Sequence, residues 1–301
     1  PLYDNLIVFN DVLDGGYCAK VYDIESEKYV DCIEWPLYDI TPDFKWGLSL
    51  SYSRLQRLRP GYGYNYFDDP TEDDAAPDGD GIILVDLATH KGKVLYSVWE
   101  LAKKIDPDLK YIHYFNHIAI APDGSKFMFF HIYASQEKEG WNTVLYVSDI
   151  EGKTLKTLEQ TDRVSHYCWT DSVHLMVTCR TEEESEYYCI YDVVSGNKEN
   201  LPIGNLNSDG HPGKLGHDSY LTDTYPLKNS LQQLKIFAAS DRAITIASSY
   251  HDYRLRGEKR CDLHPSVSKN DEIISIDTTY KRKRRSIILF GLVEGYADDK
   301  S

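Results

Sequence analysis

Two kinds of short segment recur along this chain, and their repetition constrains the fold more than any other feature. The first kind is an apolar, strand-like run that contains an aspartate and ends in a turn, as in ILVDLATHKGK from Ile83 and IYDVVSGNK from Ile190. Its aspartate can accept hydrogen bonds from the turn backbone. The second kind is a strand, turn, strand unit such as IAIAPDGSKFMFFHI from Ile118, where Asp123-Gly124 is a strong hairpin signal. Both kinds predict short antiparallel strands.

Taken in order, these segments define six units, and a period of roughly 40 to 50 residues with four short strands is typical of a β-propeller blade. The units span residues 1–34, 35–100, 113–160, 163–203, 208–252 and 260–292. We therefore predict an all-β fold in which residues 1–301 form a single β-propeller domain of four-stranded blades. The first unit begins on what resembles its second strand, which leaves open a missing first strand or blade, and either six or seven blades in all. A short helix is expected only at Ser97–Lys104.

A long segment without a periodic pattern, residues 54–81, interrupts the second unit. Loops of this length are usually functional or disordered. Its first half is rich in arginine and tyrosine and suits an anionic sugar, whereas its acidic second half is typical of solvated chain. The candidate sugar-binding residues are Arg54, Arg57, Arg59, Tyr62 and Tyr64. The run Asp78-Gly79-Asp80-Gly81 lacks the spaced ligands and closing glutamate of a calcium loop, so we interpret it as a turn.

Composition excludes several classes of partner. A formal net charge of −15 repels a phosphate backbone, so no nucleic-acid partner is expected. No apolar stretch approaches the length of a membrane span, so no membrane partner is expected. The six cysteines show no metal-binding spacing and are predicted to be buried free thiols. Free thiols favour a cytoplasmic location, although a first residue other than methionine leaves a periplasmic or secreted protein open.

Four histidines occur about once per unit, each just before an apolar strand pair. They are His117, His166, His211 and His264, at spacings of 49, 45 and 53 residues. In a propeller each would fall near the start of a blade's innermost strand, so that side chains remote in sequence converge. Imidazole is a common metal ligand and moves protons near neutral pH. A single histidine at such a position is more often structural, but four together favour a functional site.

Three segments carry a resemblance to a known family: SHYCW from Ser165, SDGHP from Ser208 and CDLHP from Cys261. They resemble blade entrances of the oligogalacturonate lyase family of seven-bladed propellers, over about residues 116–277. The resemblance implies a manganese ion held by histidines, and a further histidine acting as base in β-elimination. Position by position, His211 and His264 match metal ligands and His166 matches the base. Asp262 stands where the family has a histidine, and its carboxylate could also bind a hard divalent ion.

Two features of that family have no counterpart here. Its glutamine ligand would fall near Lys259, and its catalytic arginine near Thr143 or Val144. We expect the missing positive charge to come from another segment, with Arg180 as the catalytic candidate. The remaining candidates are Arg163 and the loop residues Arg54, Arg57 and Arg59, and His117 and Asn116 are further candidate substrate contacts.

The function that these residues favour is a metal-dependent lyase that cleaves uronate-containing oligosaccharides by β-elimination, with Mn²⁺ as the expected cofactor and an acidic oligosaccharide as the partner. One alternative is a propeller glycosidase, for which Asp209, Asp223 and Asp262 are the candidate carboxylates. Another is a non-catalytic binding or scaffold module. The chain contains no G-x-S-x-G nucleophile elbow and no phosphate-binding glycine motif, so a serine hydrolase or a nucleotide cofactor is not expected.

Overall fold

A computed structural model describes residues 2–3, 5–135, 140–181, 183, 185–203, 206, 208–238 and 242–290. The chain folds into two compact units, Pro1–Gln160 and Thr161–Ser301. The described residues form six antiparallel sheets in chain order, three in each unit, and within every sheet neighbouring strands are consecutive in sequence. This is the blade pattern of a β-propeller, which confirms the predicted all-β fold class. Six blades are present in the described part of the chain, compared with the seven that the resemblance implies.

The first unit contains three four-stranded sheets and two helices. Its strands are β1 (Leu2–Tyr3), β2 (Leu6–Leu13), β3 (Gly16–Asp23), β4 (Lys28–Ile33), β5 (Asp39–Ile40), β6 (Trp46–Ser49), β7 (Gly81–Asp86), β8 (Lys91–Ser97), β9 (Ile112–Ile120), β10 (Lys126–Ala134), β11 (Asn142–Asp149) and β12 (Leu155–Glu159). The helices are α1 (Tyr52–Leu58) and α2 (Val98–Ile105). Because β1 pairs with β2, the first sheet has four strands rather than beginning on its second.

The second unit contains two four-stranded sheets and one of three strands. Its strands are β13 (Arg163–Trp169), β14 (His174–Arg180), β15 (Glu186–Asp192), β16 (Lys198–Leu201), β17 (Gly213–Leu215), β18 (Ser219–Asp223), β19 (Leu231–Ala238), β20 (Ile244–Tyr250), β21 (Ser266–Val267), β22 (Ile273–Thr278) and β23 (Arg285–Phe290). Single 3₁₀ turns lie at Gly257–Lys259 and Tyr280–Arg282. Each sheet falls within one of the sequence units to within one residue, so the repeat pattern located the blades.

Apolar side chains pack between neighbouring sheets of the same unit. In the first unit Val8, Ile33 and Val85 belong to a cluster that joins the first two sheets. In the second unit Leu221 and Ile274 belong to a cluster that joins the last two. Alternating strand residues supply these contacts because successive side chains point to opposite faces of a sheet. Because strand residues fill the core between the sheets, the polar groups of a site are expected at strand ends and in the connecting segments.

The two helices differ in how well the sequence predicted them. Helix α2 occupies nearly the expected range, and Ser97 and Glu100 form a capping box at its start. Helix α1, in contrast, takes up the first residues of the segment predicted as loop, so the irregular part of that segment spans residues 59–80. All six cysteines are free thiols, as predicted, and four of them are buried. Among the described residues, no helix has the length and apolar character needed to cross a membrane.

Candidate metal centre in the second unit

Three side chains of the second unit bring possible metal ligands together. One donor atom from each of His211, Asp262 and His264 lies within 4.8 Å of the others. The ring centroids of His211 and His264 are 4.0 Å apart, and that of His166 is 4.2 Å from that of His211. The structure therefore brings together the three sequence-predicted metal ligands and the predicted base.

Irregular backbone at the strand starts places these side chains. In β13 the pairing register shifts between Val164 and His166, which is a β-bulge that turns His166 away from its ordinary direction. His264 has a φ of 40°, a left-handed conformation that is uncommon outside glycine. Gly210 lies so close to the carbonyl oxygen of Asp223 that an added Cβ would come within 2.1 Å of it. Position 210 therefore requires glycine.

Asp223, the last residue of β18, holds two of the histidines at once. Its Oδ1 accepts hydrogen bonds from the His211 backbone N–H and from His211 Nδ1, both at 2.8 Å. Its Oδ2 accepts one from the backbone N–H of His264 at 3.0 Å. Burial alone would raise the pKa of this carboxyl, but the hydrogen bonds and charge of His211 outweigh it and lower the pKa below 3.8. Asp223 is therefore an ionised anchor that fixes the backbone positions of His211 and His264 and the ring of His211.

His166 forms a similar pair with Asp209. His166 Nδ1 lies 2.9 Å from Asp209 Oδ1, which also accepts hydrogen bonds from Ser165 Oγ and the backbone N–H of Gly210. Burial raises the pKa of Asp209, but the hydrogen bond and charge of His166 outweigh it, and the pKa is lowered to about 2. Because a carboxylate only accepts, it fixes the proton on Nδ1. The other nitrogen, Nε2, lies 3.4 Å from the hydroxyl of Tyr225.

Asp262 is buried, and two side chains donate to it. Gln232 Nε2 lies 3.3 Å from Oδ1, and Arg260 Nη2 lies 2.7 Å from Oδ2. The guanidinium carbon of Arg260 also lies 4.7 Å from the ring centroid of Tyr225. Sequence reasoning missed Gln232, Tyr225 and Arg260, and only Arg260 offered a signal, since it stands two residues before Asp262.

The donor set fits a divalent metal ion. Because Asp223 engages Nδ1 of His211, Nε2 is the ring nitrogen that can face a ligand, which is the carboxylate, histidine, metal arrangement common in metalloproteins. A carboxylate accepts at more positions than Gln232 and Arg260 occupy, so Asp262 can also bind an ion. His264 keeps an exposed edge, yet the protein atoms around it and the neighbouring imidazole of His211 lower its pKa below 6.5. Two imidazoles and one carboxylate suit ions such as Mn²⁺ or Zn²⁺.

Arg180, the sequence candidate for a catalytic arginine, pairs with Glu186 behind Asp209. Its Nε donates to Glu186 Oε1 at 3.0 Å, and the other oxygen of Glu186 accepts from the Asp209 backbone N–H at 2.7 Å. Arg180 therefore contacts the carboxylate that positions Asp209, while Arg260 is the cation beside the candidate metal ligands.

The other predicted contacts lie in the first unit. Asn116 is fully buried in β9, and its Nδ2 has no hydrogen-bond partner among the described residues. His117 has a φ of 52° at a bulge of the same strand, and its ring contacts Tyr62 and Phe130. The predicted substrate contact of Asn116 therefore stays a prediction for a side chain that is buried in this structure.

The loop arginines have separate tasks. Arg54 is only 1% exposed and donates to the backbone oxygens of His113, Thr71 and Ala75. Its guanidinium thus ties the loop to β9, and its predicted role in binding sugar stays a prediction. Arg57 donates to the buried carboxylate of Asp69.

The remaining loop residues are more accessible. The Arg59 guanidinium carbon lies 4.4 Å from the ring centroid of Trp141 and 5.1 Å from that of Tyr62. Tyr62 and Tyr64 are 37% and 38% exposed, so these two rings can meet a ligand.

Comparison with known proteins places this chain by its fold. No family model matches it, and no curated protein is similar enough to count as a relative. Among solved structures, oligogalacturonate lyase in complex with manganese is 10% identical with a TM-score of 0.47, over 97% of this chain and 87% of that one. TolB from Acinetobacter baumannii is 15% identical with a TM-score of 0.53, over 97% of this chain and 62% of that one. The tricorn protease is 9% identical with a TM-score of 0.56, over 95% of this chain and 30% of that one.

The similarities to TolB and the tricorn protease agree with the β-propeller class that the six sheets define. The chain spans less than two thirds of the TolB and tricorn protease chains. At sequence identities of 9–15% the shared feature is the fold, and proteins of different kinds have this fold. An activity therefore has to be argued from the residues of the site.

Proposed function

We propose that the second unit carries the centre of a metal-dependent lyase that acts on uronate-containing oligosaccharides. The observation that supports this most is the row of His166, His211 and His264, in which the first is paired with a carboxylate and the other two share a possible metal site with Asp262. A base beside a cation site is the equipment that β-elimination from a uronate needs. The short blade-entrance motifs add the family resemblance.

The chemistry follows from the roles of individual side chains. His211, Asp262 and His264 would hold the ion, which when bound neutralises the sugar carboxylate and so lowers the pKa of the adjacent C–H. Arg260 is the cation of this chain that stands beside these ligands, and it would pair with the same carboxylate. His166, with Nδ1 held by Asp209, takes the proton from C5 on Nε2. The electron pair of the C–H bond then becomes the C4–C5 double bond, and the C4–O bond breaks with its electron pair going to the departing oxygen, which takes up a proton from water.

The glycosidase alternative fits the site less well. A glycosidase needs one carboxyl group that carries a proton at the working pH. The pKa of Asp209 is lowered to about 2 and that of Asp223 is lowered as well, because each accepts hydrogen bonds from a histidine. Both groups are therefore ionised and already engaged, so neither is suited to act as the acid.

The test combines metal binding with product analysis. The protein is loaded with Mn²⁺, its bound metal is measured by mass spectrometry, and it is incubated with a panel of oligogalacturonates and other uronate oligosaccharides. We expect one bound ion, lost in His211→Ala, and ultraviolet absorbance from the unsaturated product, lost in His166→Ala. His174→Ala is the matched control, because His174 also pairs with an aspartate but is 46% exposed and lies outside the cluster.

The outcomes separate the candidate functions. New reducing ends without ultraviolet absorbance would indicate a glycosidase. Bound metal without any cleavage would leave a metal-binding module, and the absence of both would favour the non-catalytic module. Equal activity in His166→Ala and the unchanged protein would remove the assigned base.

A further inference from the structure

The loop of the first unit walls a cavity that the proposed lyase centre does not use. The cavity has a volume of about 430 Å³, which is in the range of small-molecule sites. Its walls come from β3, β6, the start of α1 and the loop. Its aromatic lining residues include Tyr17, Trp35 and Phe67. The loop is held there by the Tyr17 hydroxyl, which accepts hydrogen bonds from the backbone N–H groups of Tyr66 and Phe67.

Ser49, a residue of the cavity lining, carries an unsatisfied polar atom. The residue lines the cavity and is only 1% exposed, and its Oγ has no hydrogen-bond partner among the described residues. Leaving a buried hydroxyl unpaired costs stability, and such groups are uncommon in folded proteins. A ligand with a hydrogen-bonding group would satisfy this hydroxyl.

Asp80 also belongs to the lining of this cavity, and its carboxylate accepts hydrogen bonds from the backbone N–H groups of Gly81 and Ser51. It stands directly before β7 and is buried, and burial raises its pKa to about 6 despite the nearby charge of Arg54. The guanidinium of Arg54 is directed to backbone oxygens and to Asp69, at 3.9 Å. A ligand that brings its own positive charge would therefore stabilise the ionised form of Asp80.

We propose that this cavity binds a small primary amine with an aromatic body. The ammonium group pairs with Asp80, the Ser49 hydroxyl offers a second hydrogen bond, and the ring packs among Trp35 and Phe67. The proposal does not depend on the lyase centre, because every residue that it uses belongs to the first unit.

Gly79 allows the cavity to be filled without straining the backbone. An added Cβ at this position meets no atom within 4 Å, and the residue does not adopt a left-handed φ. Since Gly79 belongs to the cavity lining, a leucine at this position adds bulk at the cavity without a clash at its Cβ. Ala88, an exposed turn residue outside the cavity, offers the matched surface change Ala88→Leu.

The experiment uses three probes of similar shape and different charge, measured by calorimetry on the full chain. They are 2-phenylethylamine, 2-phenylethanol and phenylacetate. We expect the amine to bind and the other two to bind about tenfold more weakly or worse, because only the amine forms a charge-assisted hydrogen bond. Gly79→Leu should abolish binding of the amine, Asp80→Asn should weaken it about tenfold, and Ala88→Leu should leave it unchanged.

Ser49→Ala tests whether the unpaired hydroxyl serves a ligand or is only an unsatisfied group in the core. Without ligand this variant should be as stable as the unchanged protein or more stable, because it removes an unpaired hydroxyl, and it should bind the amine several-fold more weakly. Binding that survives Gly79→Leu would overturn the proposal. Equal affinity for all three probes, or no binding of the amine at millimolar concentration, would overturn it too. Circular dichroism of each variant confirms that it is folded.

Discussion

Asp223 determines the geometry of the candidate centre although it is not one of the ligands. Both of its oxygens receive hydrogen bonds, from two backbone N–H groups and one imidazole. The two histidines that it holds are separated by 53 residues in the chain. One carboxylate therefore fixes the spacing of His211 and His264 before any ion is bound, in the way that outer groups orient the ligands of metal sites.

Asp223→Asn tests this role. An amide has one accepting oxygen, so its nitrogen would face an N–H donor, and one of the two histidines would lose its anchor. We expect the affinity for Mn²⁺ to fall about 10- to 100-fold, and the free energy of unfolding to fall by about 1–3 kcal/mol. Titration calorimetry and chemical denaturation measure the two effects.

Asp218→Asn is the control for that substitution. The Asp218 side chain is 86% exposed in the turn between β17 and β18, so its loss should change neither the metal affinity nor the stability. If Asp223→Asn bound Mn²⁺ as tightly as Asp218→Asn, the ion would not be held by the histidines that Asp223 anchors.

Gly210→Ala tests the close approach beside the same carboxylate. The added methyl group would overlap the backbone oxygen of Asp223 and the hydroxyl of Thr222, so the backbone at position 210 has to move. We expect a loss of about 1–3 kcal/mol in the free energy of unfolding, together with weaker metal binding. Gly79→Ala, whose methyl group meets open space, should leave the stability nearly unchanged and serves as the comparison.

The sequence pointed to the histidines of this candidate centre, and it named Asp209 and Asp223 only as glycosidase carboxylates, not as the groups that anchor the histidines. His166, His211 and His264 could be found because they recur at the blade period. Asp223 ends an ordinary apolar strand, and its role depends on a hydrogen bond to a residue 41 positions away. Arg260 gains its place from contacts with Asp262 and Tyr225, which no local pattern shows. Long-range hydrogen bonds leave no periodic signal in a sequence.

At the level of elements, helix α1 and the loop after it form one structure held by Arg54. The helix starts at the N-cap Ser51, whose side chain accepts a hydrogen bond from the Arg54 backbone N–H. The Arg54 side chain then binds the loop through backbone oxygens of Thr71 and Ala75, and β9 through that of His113. A charged residue predicted to bind sugar is thus the main internal tie of the loop.

Arg54→Met should release this loop. Methionine fills a similar volume but leaves three backbone oxygens without their donor, and one unsatisfied buried group costs about 1–3 kcal/mol. We expect a loss of at least about 3 kcal/mol in stability, and faster cleavage within residues 59–80 in limited proteolysis. Arg59→Met is the control, because Arg59 packs on exposed aromatic rings rather than on loop carbonyls. Equal cleavage of the two variants would show that Arg54 does not tie the loop.

The strands were easier to predict than α1 for a physical reason. Strand alternation and Asp-Gly turns are local signals, so six blades could be counted from the sequence. Helix α1 has seven residues, which is too short to be stable alone or to show a clear period of 3.6. Its stability comes from buried contacts of Tyr52, Arg54 and Leu55, which depend on the rest of the first unit.

For the whole molecule, buried histidines link stability to pH. In the first unit Asp106, His113 and His131 form a buried chain, with 3.2 Å between Asp106 Oδ2 and His113 Nε2 and 3.0 Å between His113 Nδ1 and His131 Nε2. Burial lowers the pKa of His131 well below 6.5, and the charge of His113 lowers it further. Burial also lowers the pKa of His113, although Asp106 opposes this. In the second unit, burial lowers the pKa of His251 and His264.

These lowered pKa values predict a loss of stability in mild acid. A histidine with a lowered pKa stays neutral in the folded protein, while the unfolded chain takes up its proton near pH 6.5. Stability is therefore fully present above pH 6.5 and falls as the pH decreases below it. Asp209 and Asp223 stabilise the folded protein above pH 3.8, because their folded pKa values lie below that value. Their contribution is lost only at lower pH, as those carboxylates become protonated.

His131→Gln isolates the contribution of one such histidine. Glutamine does not titrate and can still hydrogen-bond with His113. The free energy of unfolding of the variant should therefore fall less steeply between pH 6.5 and pH 5 than that of the unchanged protein. One proton contributes about 1.4 kcal/mol per pH unit, which is the largest difference in slope that we expect. His217→Gln is the control, since the His217 side chain is 96% exposed. If His131→Gln and His217→Gln gave the same slope, His131 would not be the buried neutral group that makes the fold sensitive to acid.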